Sequence, residues 1–179
     1  VLDRRTGKVI SAGKIGKVTW ADHIDLATGR PVEAPNIRYE GGETVLWPNP
    51  TGAHNWQAMS FSPKTRLVYI PYMQNGVHYY RGMPKPGDVL IAGLSIGSYK
   101  ADPEDGKGAL LAYDPVAQKP RWKVQHGQIW NGGVLSTAGD LVFQGTGDGY
   151  VSAYAAGDGR RLWRFNAGLG VIAPPISYK

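Results

Sequence analysis

The chain has 179 residues, of which 42% are hydrophobic, 25 are glycine and 13 are proline, a length that suits one domain of ordinary size. It contains no cysteine, which excludes disulfides and cysteine-ligated metals within this segment. The formal net charge is +6, but the basic residues are scattered instead of forming a block with interleaved aromatics, which argues against nucleic-acid binding.

The chain opens with VLDRRTGKVIS, in which Asp3 precedes a turn at Thr6 and Gly7. This pattern predicts that residues 1–11 form the last two strands of a unit whose start is missing. The opening has neither an initial Met nor the apolar core of a signal peptide, so we expect a piece of a longer protein. No apolar run approaches the ~18 residues of a transmembrane helix.

A complete four-stranded unit is predicted next, from short apolar runs separated by turn residues. Residues 72–107 interrupt this unit, and their many glycines and prolines predict a long irregular loop. Loops of that kind tend to be functional or to cover a site. The four predicted strands are residues 56–61, 66–71, 109–114 and 121–124.

A second complete unit follows without an insertion, and no helical periodicity occurs within it. After it, residues 170–178 are predicted to be the first strand of a further unit. The four predicted strands of the second unit are residues 134–135, 141–144, 150–154 and 161–165.

The two complete units repeat one another: AYDPVAQKPRW starts at residue 112 and AYAAGDGRRLW starts 41 residues later. Four-stranded antiparallel units at a period of ~40 residues are typical of a β-propeller. Trp122 and Trp163 are predicted to be structural, because a flat indole can cover the face of the next blade. We predict an all-β fold in which residues 1–179 form one partial β-propeller domain with about two complete and two partial blades.

Two Asn-Trp pairs begin the first strands of the complete units. These are Asn55 with Trp56, and Trp130 with Asn131. A first strand lines the central channel of a propeller, where an amide supplies a donor and an acceptor and an indole supplies a flat face. Such pairs suit a flat, polar, conjugated ligand, or they are turn residues that cap a strand beside a core Trp. Position alone leaves both interpretations open.

No motif in the chain predicts a catalytic residue or a metal ligand. The four histidines lack metal-site spacing, and Asp102, Glu104 and Asp105 lack the calcium-loop pattern and are interpreted as a solvated turn. The GTGDG string at 145–149 lies between two predicted strands, so we interpret it as a hairpin turn and not as a phosphate loop.

Four stretches together resemble the pyrroloquinoline quinone (PQQ) dependent alcohol dehydrogenases, and the quinohemoprotein members more than the methanol dehydrogenases. The resemblance implies an eight-bladed propeller in the periplasm, with PQQ beside a calcium ion. It also implies hydride transfer from a small primary alcohol to PQQ, and electron transfer to cytochrome c, a quinone or a fused haem c domain. The stretches are VLDRRTGKVISA, HNWQAMSFSPKTRLVYIPY, GALLAYDPVAQKPRWKV and WNGGVLSTAGDLVFQGTGDGYVSAY.

By this resemblance Asn55 and Trp56 match a pair that contacts the PQQ edge, and Trp130 and Asn131 fall near the cofactor or substrate. The family's catalytic Asp, calcium ligands and adjacent-cysteine disulfide would lie upstream of Val1. The chain alone is therefore expected to be inactive, and its open blade faces are expected to make it aggregate. The alternative is a non-catalytic propeller scaffold, which needs neither the Asn55-Trp56 pair nor the insertion at 72–107.

Overall fold

The computed structural model describes residues 1–178, which fold into fourteen β-strands and no helix. No helix in this part of the chain is therefore long and apolar enough to cross a membrane. The strands are β1 (Ala21–Ile24), β2 (Pro31–Glu33), β3 (Thr44–Leu46), β4 (Ser60–Ser62), β5 (Leu67–Gln74), β6 (Gly76–Arg81), β7 (Val89–Ile91), β8 (Leu94–Tyr99), β9 (Lys107–Asp114), β10 (Lys119–Gln125), β11 (Asn131–Ser136), β12 (Leu141–Thr146), β13 (Tyr150–Ala155) and β14 (Arg161–Asn166).

The chain divides into two compact units, where the sequence led us to expect one domain. The first unit comprises Val1–Ala53 and Gln74–Asp105, and the second comprises His54–Met73 and Gly106–Lys179. The second compact unit contains the two predicted four-stranded blades, and the first contains most of the predicted insertion at 72–107.

The two sheets of the second unit confirm the predicted blades. Their strand orders are β4-β5-β9-β10 and β11-β12-β13-β14. The pairs β4–β5, β9–β10, β11–β12, β12–β13 and β13–β14 are antiparallel. The largest difference is that β4 begins at Ser60 and not at residue 56. The backbone that precedes β4 is hydrogen-bonded to β11 instead: the Ala58 carbonyl accepts the Val134 N–H at 2.8 Å.

The hydrophobic core of the second unit lies between these sheets, and Trp122 joins them. The Trp122 Nε1–H and the Tyr69 hydroxyl both donate to the Ala156 carbonyl, at 3.1 and 3.0 Å. Gly159 lies under the indole, where a Cβ would be only 2.6 Å from a ring carbon. This contact confirms the structural role predicted for Trp122. The buried cluster contains Leu67, Tyr69, Leu110, Ala112, Val134, Val142, Tyr154 and Ala156.

An aspartate-led turn closes several of the hairpins. The Asp114 carboxylate accepts the backbone N–H groups of Val116 and Ala117 at 3.0 and 2.9 Å, and these bonds hold its pKa below the usual value. Asp25 makes the same turn between β1 and β2, a hairpin that we did not predict. Asp3 makes it as well, but a single bridge between Leu2 and Val9 stands where we predicted two strands.

The predicted irregular loop at 72–107 is largely folded. It contributes β6, β7 and β8, which form a sheet of order β3-β6-β8-β7 in the first unit. Its glycines and prolines concentrate in the turns, with positive φ at Gly82, Gly87 and Gly93, while β6 and β8 carry apolar and aromatic residues. The high Gly and Pro content of residues 72–107 predicted a loop where the structure has these short strands.

The Asp105 carboxylate, which we interpreted as part of a solvated turn, is buried in the first unit. It accepts the Trp47 Nε1–H at 3.0 Å, the Gln74 amide at 3.2 Å and the backbone N–H groups of Ala101 and Asp102 at 2.9 Å each. Burial by itself raises the pKa of this carboxyl, but the four hydrogen bonds outweigh burial and lower the pKa below its usual value.

Replacing Asp105 by asparagine is expected to lower the free energy of unfolding by about 2 kcal/mol at neutral pH, because an amide N–H would face backbone N–H groups. Because the pKa of Asp105 is lower in the folded than in the unfolded state, the ionised carboxylate stabilises the fold at pH values above the usual pKa of an aspartate. This stabilisation is lost as pH falls through the folded-state pKa. Urea denaturation of the full-length protein from neutral pH to about pH 3 measures both effects. The exposed variant Asp22→Asn is the control, and a wild-type advantage that does not change with pH would contradict the prediction.

No strand is assigned in residues 170–178, where we predicted the first strand of a further unit. The segment is nevertheless attached to the second unit, since the Val171 N–H donates to the Thr146 carbonyl at 3.0 Å. Pro174 and Pro175 have no N–H to donate, which prevents a regular ladder at these positions.

Candidate functional site

The first strands of the two blades lie side by side at a constant offset. The Val134 N–H donates to the Ala58 carbonyl at 2.8 Å, and the Ser60 and Ser136 hydroxyls are 2.6 Å apart. Both contacts join residues that are 76 positions apart. At this offset Asn131 is the structural equivalent of Asn55.

Glycines allow these segments to approach closely. A Cβ on Gly133 would lie 2.6 Å from the Pro174 Cβ and 3.0 Å from the Ala58 backbone nitrogen. A Cβ on Gly132 would lie 2.9 Å from the Val171 carbonyl oxygen. Three backbone segments therefore touch with no room for side chains between them. We call residues 58–60, 131–136 and 171–174 the first-strand wall.

The four predicted site residues lie at one end of this wall, where the two first-strand segments begin. The Trp56 side chain is 59% exposed and that of Trp130 is 42% exposed, so both indoles offer a face to solvent. Asn55 is also exposed. The preceding residue anchors this end, because the His54 Nδ1 lies 2.9 Å from the Pro71 carbonyl oxygen. Two exposed indoles and an exposed asparagine therefore lie at this end, and their contact with a cofactor stays a prediction.

Asn131 differs from Asn55, although the two are equivalent in position. Its side chain is fully buried. Its Nδ2 donates to the carbonyls of Tyr72 at 3.0 Å and Ile129 at 3.2 Å, and its Oδ1 accepts from the Gln144 amide at 3.0 Å. The amide is committed to the fold, and a cofactor contact by Asn131 stays a prediction.

Two functional candidates, Gln144 and His126, were missed in the sequence. Gln144 is fully buried in β12, and its Oε1 lies 2.9 Å from the His126 Nε2. Burial lowers the pKa of His126 below its usual value, although the Gln144 bond opposes this, so the imidazole is neutral at neutral pH. A glutamine inside the apolar run LVFQG was the available signal, because a buried amide needs partners.

No group of three or more His, Asp or Glu side chains in residues 1–178 is arranged to hold a metal ion. The acidic side chains of Asp102 and Asp105 make contacts within the first unit and are not part of a metal site. Lys17 pairs with Asp102 at 2.6 Å, and its ammonium lies 3.5 Å from the centre of the Trp47 ring.

The chain is similar to quinohemoprotein alcohol dehydrogenases over its whole length. The enzyme of this name from Pseudomonas putida is 52% identical over 185 residues, which cover 100% of this chain and 26% of the relative. The family model described as outer membrane protein assembly factor BamB matches residues 106–178. The chain thus spans about a quarter of the length of the curated relatives it matches.

Solved structures show the same fold. The crystal structure of the quinohemoprotein alcohol dehydrogenase from Comamonas testosteroni matches 99% of this chain and 28% of its own chain, with 40% identity and a TM-score of 0.82. A europium-containing methanol dehydrogenase matches 98% of this chain and 31% of its own, with 33% identity and a TM-score of 0.82. The chain is therefore similar over its whole length to about a quarter of these alcohol dehydrogenases, and its four-stranded antiparallel sheets form a partial β-propeller like theirs.

Proposed function

We propose that the protein carrying this chain is a PQQ-dependent alcohol dehydrogenase that oxidises primary alcohols to aldehydes. The observation that carries the proposal is the pair of exposed indoles, Trp56 and Trp130, at one end of the first-strand wall. A scaffold has no need of two indoles kept open to solvent at the end of its first strands. The whole-chain similarity to alcohol dehydrogenases also favours the enzyme over the scaffold.

The residues of this end fit PQQ, which is a flat conjugated quinone with three carboxylates. Indole faces stack on flat conjugated rings, and the Asn55 amide can donate and accept hydrogen bonds. Charge also fits: the first unit has ten basic and ten acidic residues, and the second has ten basic and four acidic ones. The entire net charge of +6 therefore belongs to the second unit, which carries the indoles.

When bound, PQQ supplies the chemistry by accepting a hydride from the alcohol. The contribution of this chain is binding and orientation: Trp56 and Trp130 hold the plane of the ligand and exclude water from its faces, and Asn55 fixes its edge. We place the catalytic carboxylate and the calcium ligands elsewhere in the protein. We also place the protein in the periplasm, with haem c or cytochrome c as electron acceptor.

Replacing Trp56 by alanine in the full-length protein is expected to weaken PQQ binding about tenfold, because one stacking face is lost. Titration of the cofactor-free protein with PQQ in the presence of calcium measures the dissociation constant, and dye reduction by ethanol measures activity. The matched control is Val116→Ala, in a hairpin turn where the side chain is 77% exposed.

The control should bind PQQ as tightly as the wild type. A wild-type protein that takes up no PQQ, or that oxidises no primary alcohol after uptake, would refute the proposed function. Unchanged PQQ binding by Trp56→Ala would remove Trp56 from the site while leaving the proposed activity in place.

A further inference from the structure

We infer that the buried residues Asn131 and Gln144 and the half-buried His126 position Trp130 against the cofactor without touching the cofactor themselves. This inference rests on the proposed function, in which the Trp130 indole faces PQQ. It assigns Asn131 a role different from that of Asn55, its equivalent on the neighbouring first strand.

The backbone next to Trp130 is held by Asn131. The Asn131 Nδ2 donates to the Ile129 carbonyl at 3.2 Å, directly before Trp130, and to the Tyr72 carbonyl at 3.0 Å. One side chain thus fixes the loop that carries the indole to the neighbouring blade. Gly108 makes room for this bond, since a Cβ there would lie 2.4 Å from the Asn131 Nδ2.

Gln144 fixes the orientation of the Asn131 amide. The Gln144 Nε2 donates to the Asn131 Oδ1 and to the Gly132 carbonyl, both at 3.0 Å. Both of its N–H groups are used, so its Oε1 is left to act as the acceptor towards His126. Because the Asn131 Oδ1 accepts from Gln144, its Nδ2 must point at the two carbonyls.

His126 completes the series of bonds. Its Nε2 lies 2.9 Å from the Gln144 Oε1 and must carry a hydrogen to donate there. Its backbone N–H donates to the Gly108 carbonyl at 2.8 Å, which ties the His126 backbone to β9 at the residue that closely approaches the Asn131 amide. The three side chains are therefore one hydrogen-bonded network that ends at the Trp130 loop, and removing one member leaves buried partners unsatisfied.

The test compares His126→Phe with His126→Gln in the full-length protein. Phenylalanine leaves the Gln144 Oε1 without a donor, whereas a glutamine amide can donate in place of the imidazole. We expect His126→Phe to weaken PQQ binding about tenfold, and His126→Gln to stay within about twofold of the wild type.

A second readout needs no cofactor. The protein is labelled with 5-fluorotryptophan, and the Trp130 signal in the fluorine NMR spectrum is assigned with Trp130→Phe. His126→Phe is expected to shift or broaden this signal in PQQ-free protein, and His126→Gln to restore it. The control is His78→Phe, which removes an imidazole bonded to Glu43 at 3.0 Å in the first unit and should leave the Trp130 signal unchanged.

The outcomes separate positioning from direct contact. If His126→Phe changes neither PQQ affinity nor the Trp130 signal, the network does not position the indole and the inference is wrong. It is also wrong if Asn131→Ala loses affinity while the cofactor-free Trp130 signal stays in place, since Asn131 would then be a ligand. A wild type that binds no PQQ refutes the proposed function instead, and the fluorine signal still decides the positioning role.

Discussion

Replacing Gly133 by alanine is expected to lower the free energy of unfolding by about 3 kcal/mol, the upper part of the range for overpacked sites. The new methyl group would lie 2.6 Å from the Pro174 Cβ and 3.0 Å from the Ala58 backbone nitrogen. Neither neighbour is the end of a flexible side chain, so two backbone segments of the first-strand wall must move apart. Urea denaturation of the full-length protein measures the change.

Gly139→Ala is the matched control for this experiment. Its methyl group would find the Thr137 hydroxyl at 3.7 Å as its nearest neighbour, an ordinary contact distance. The control should therefore change stability by less than about 0.5 kcal/mol. If Gly133→Ala were tolerated equally well, the close approach of the three segments would be wrong.

Replacing Trp122 by alanine is expected to destabilise the protein by about 3–5 kcal/mol, because it removes the indole that joins the two sheets of the second unit. The alanine variant loses the packing on Gly159 and Tyr69 and the bond to the Ala156 carbonyl. Trp122→Phe keeps most of the apolar contact and loses the hydrogen bond, so we expect a cost of about 1–2 kcal/mol.

Thermal or urea unfolding of the full-length protein separates the two variants of Trp122. Val116→Ala, in the turn that precedes β10, serves as the control because its side chain is 77% exposed. Equal losses for Trp122→Phe and Trp122→Ala would show that the hydrogen bond outweighs the packing. A loss no larger than that of the control would show that the indole does not join the sheets.

The blade formed by β11 to β14 could be predicted from the sequence because its information is local. Apolar runs such as Leu141–Gln144 alternate with turn residues, and each predicted strand finds its partner next along the chain. The repeated Ala-Tyr and Trp positions also predicted that Trp122 is structural, and its contacts with Gly159 and Ala156 bear this out.

The sheet of the first unit could not be predicted in the same way. β3 pairs with β6 across more than thirty positions, as in the pair Thr44 and Tyr79, so no local turn signals the partnership. The glycines at 82, 87 and 93 marked the turns correctly, but their density hid the short strands between them. The β1–β2 hairpin was missed, although its Asp25 turn has the same spacing as the turn at Asp3.

In the candidate site, too, the features that depend on nearby residues were predicted and those that depend on distant residues were not. The sequence predicted that Asn55, Trp56 and Trp130 lie at the beginning of the first strands, and they precede β4 and β11, although β4 begins four residues later than predicted. The burial of Asn131 depends on Tyr72, which is 59 positions away, and on Gln144 in the next strand. Equivalent places in a repeat therefore predicted equal roles for Asn55 and Asn131, while non-local hydrogen bonds made the two environments different.

The uneven spacing of the first-strand wall has an evolutionary consequence. Neighbouring segments of the wall are 76 positions apart at Ser60 and Ser136, but only 41 apart at Gly133 and Pro174. The extra residues enter between β5 and β9 and form β6 to β8 in the first unit, while every wall contact described here lies within the second unit. A change of length in β6 to β8 during divergence can thus leave the contacts of the first-strand wall intact.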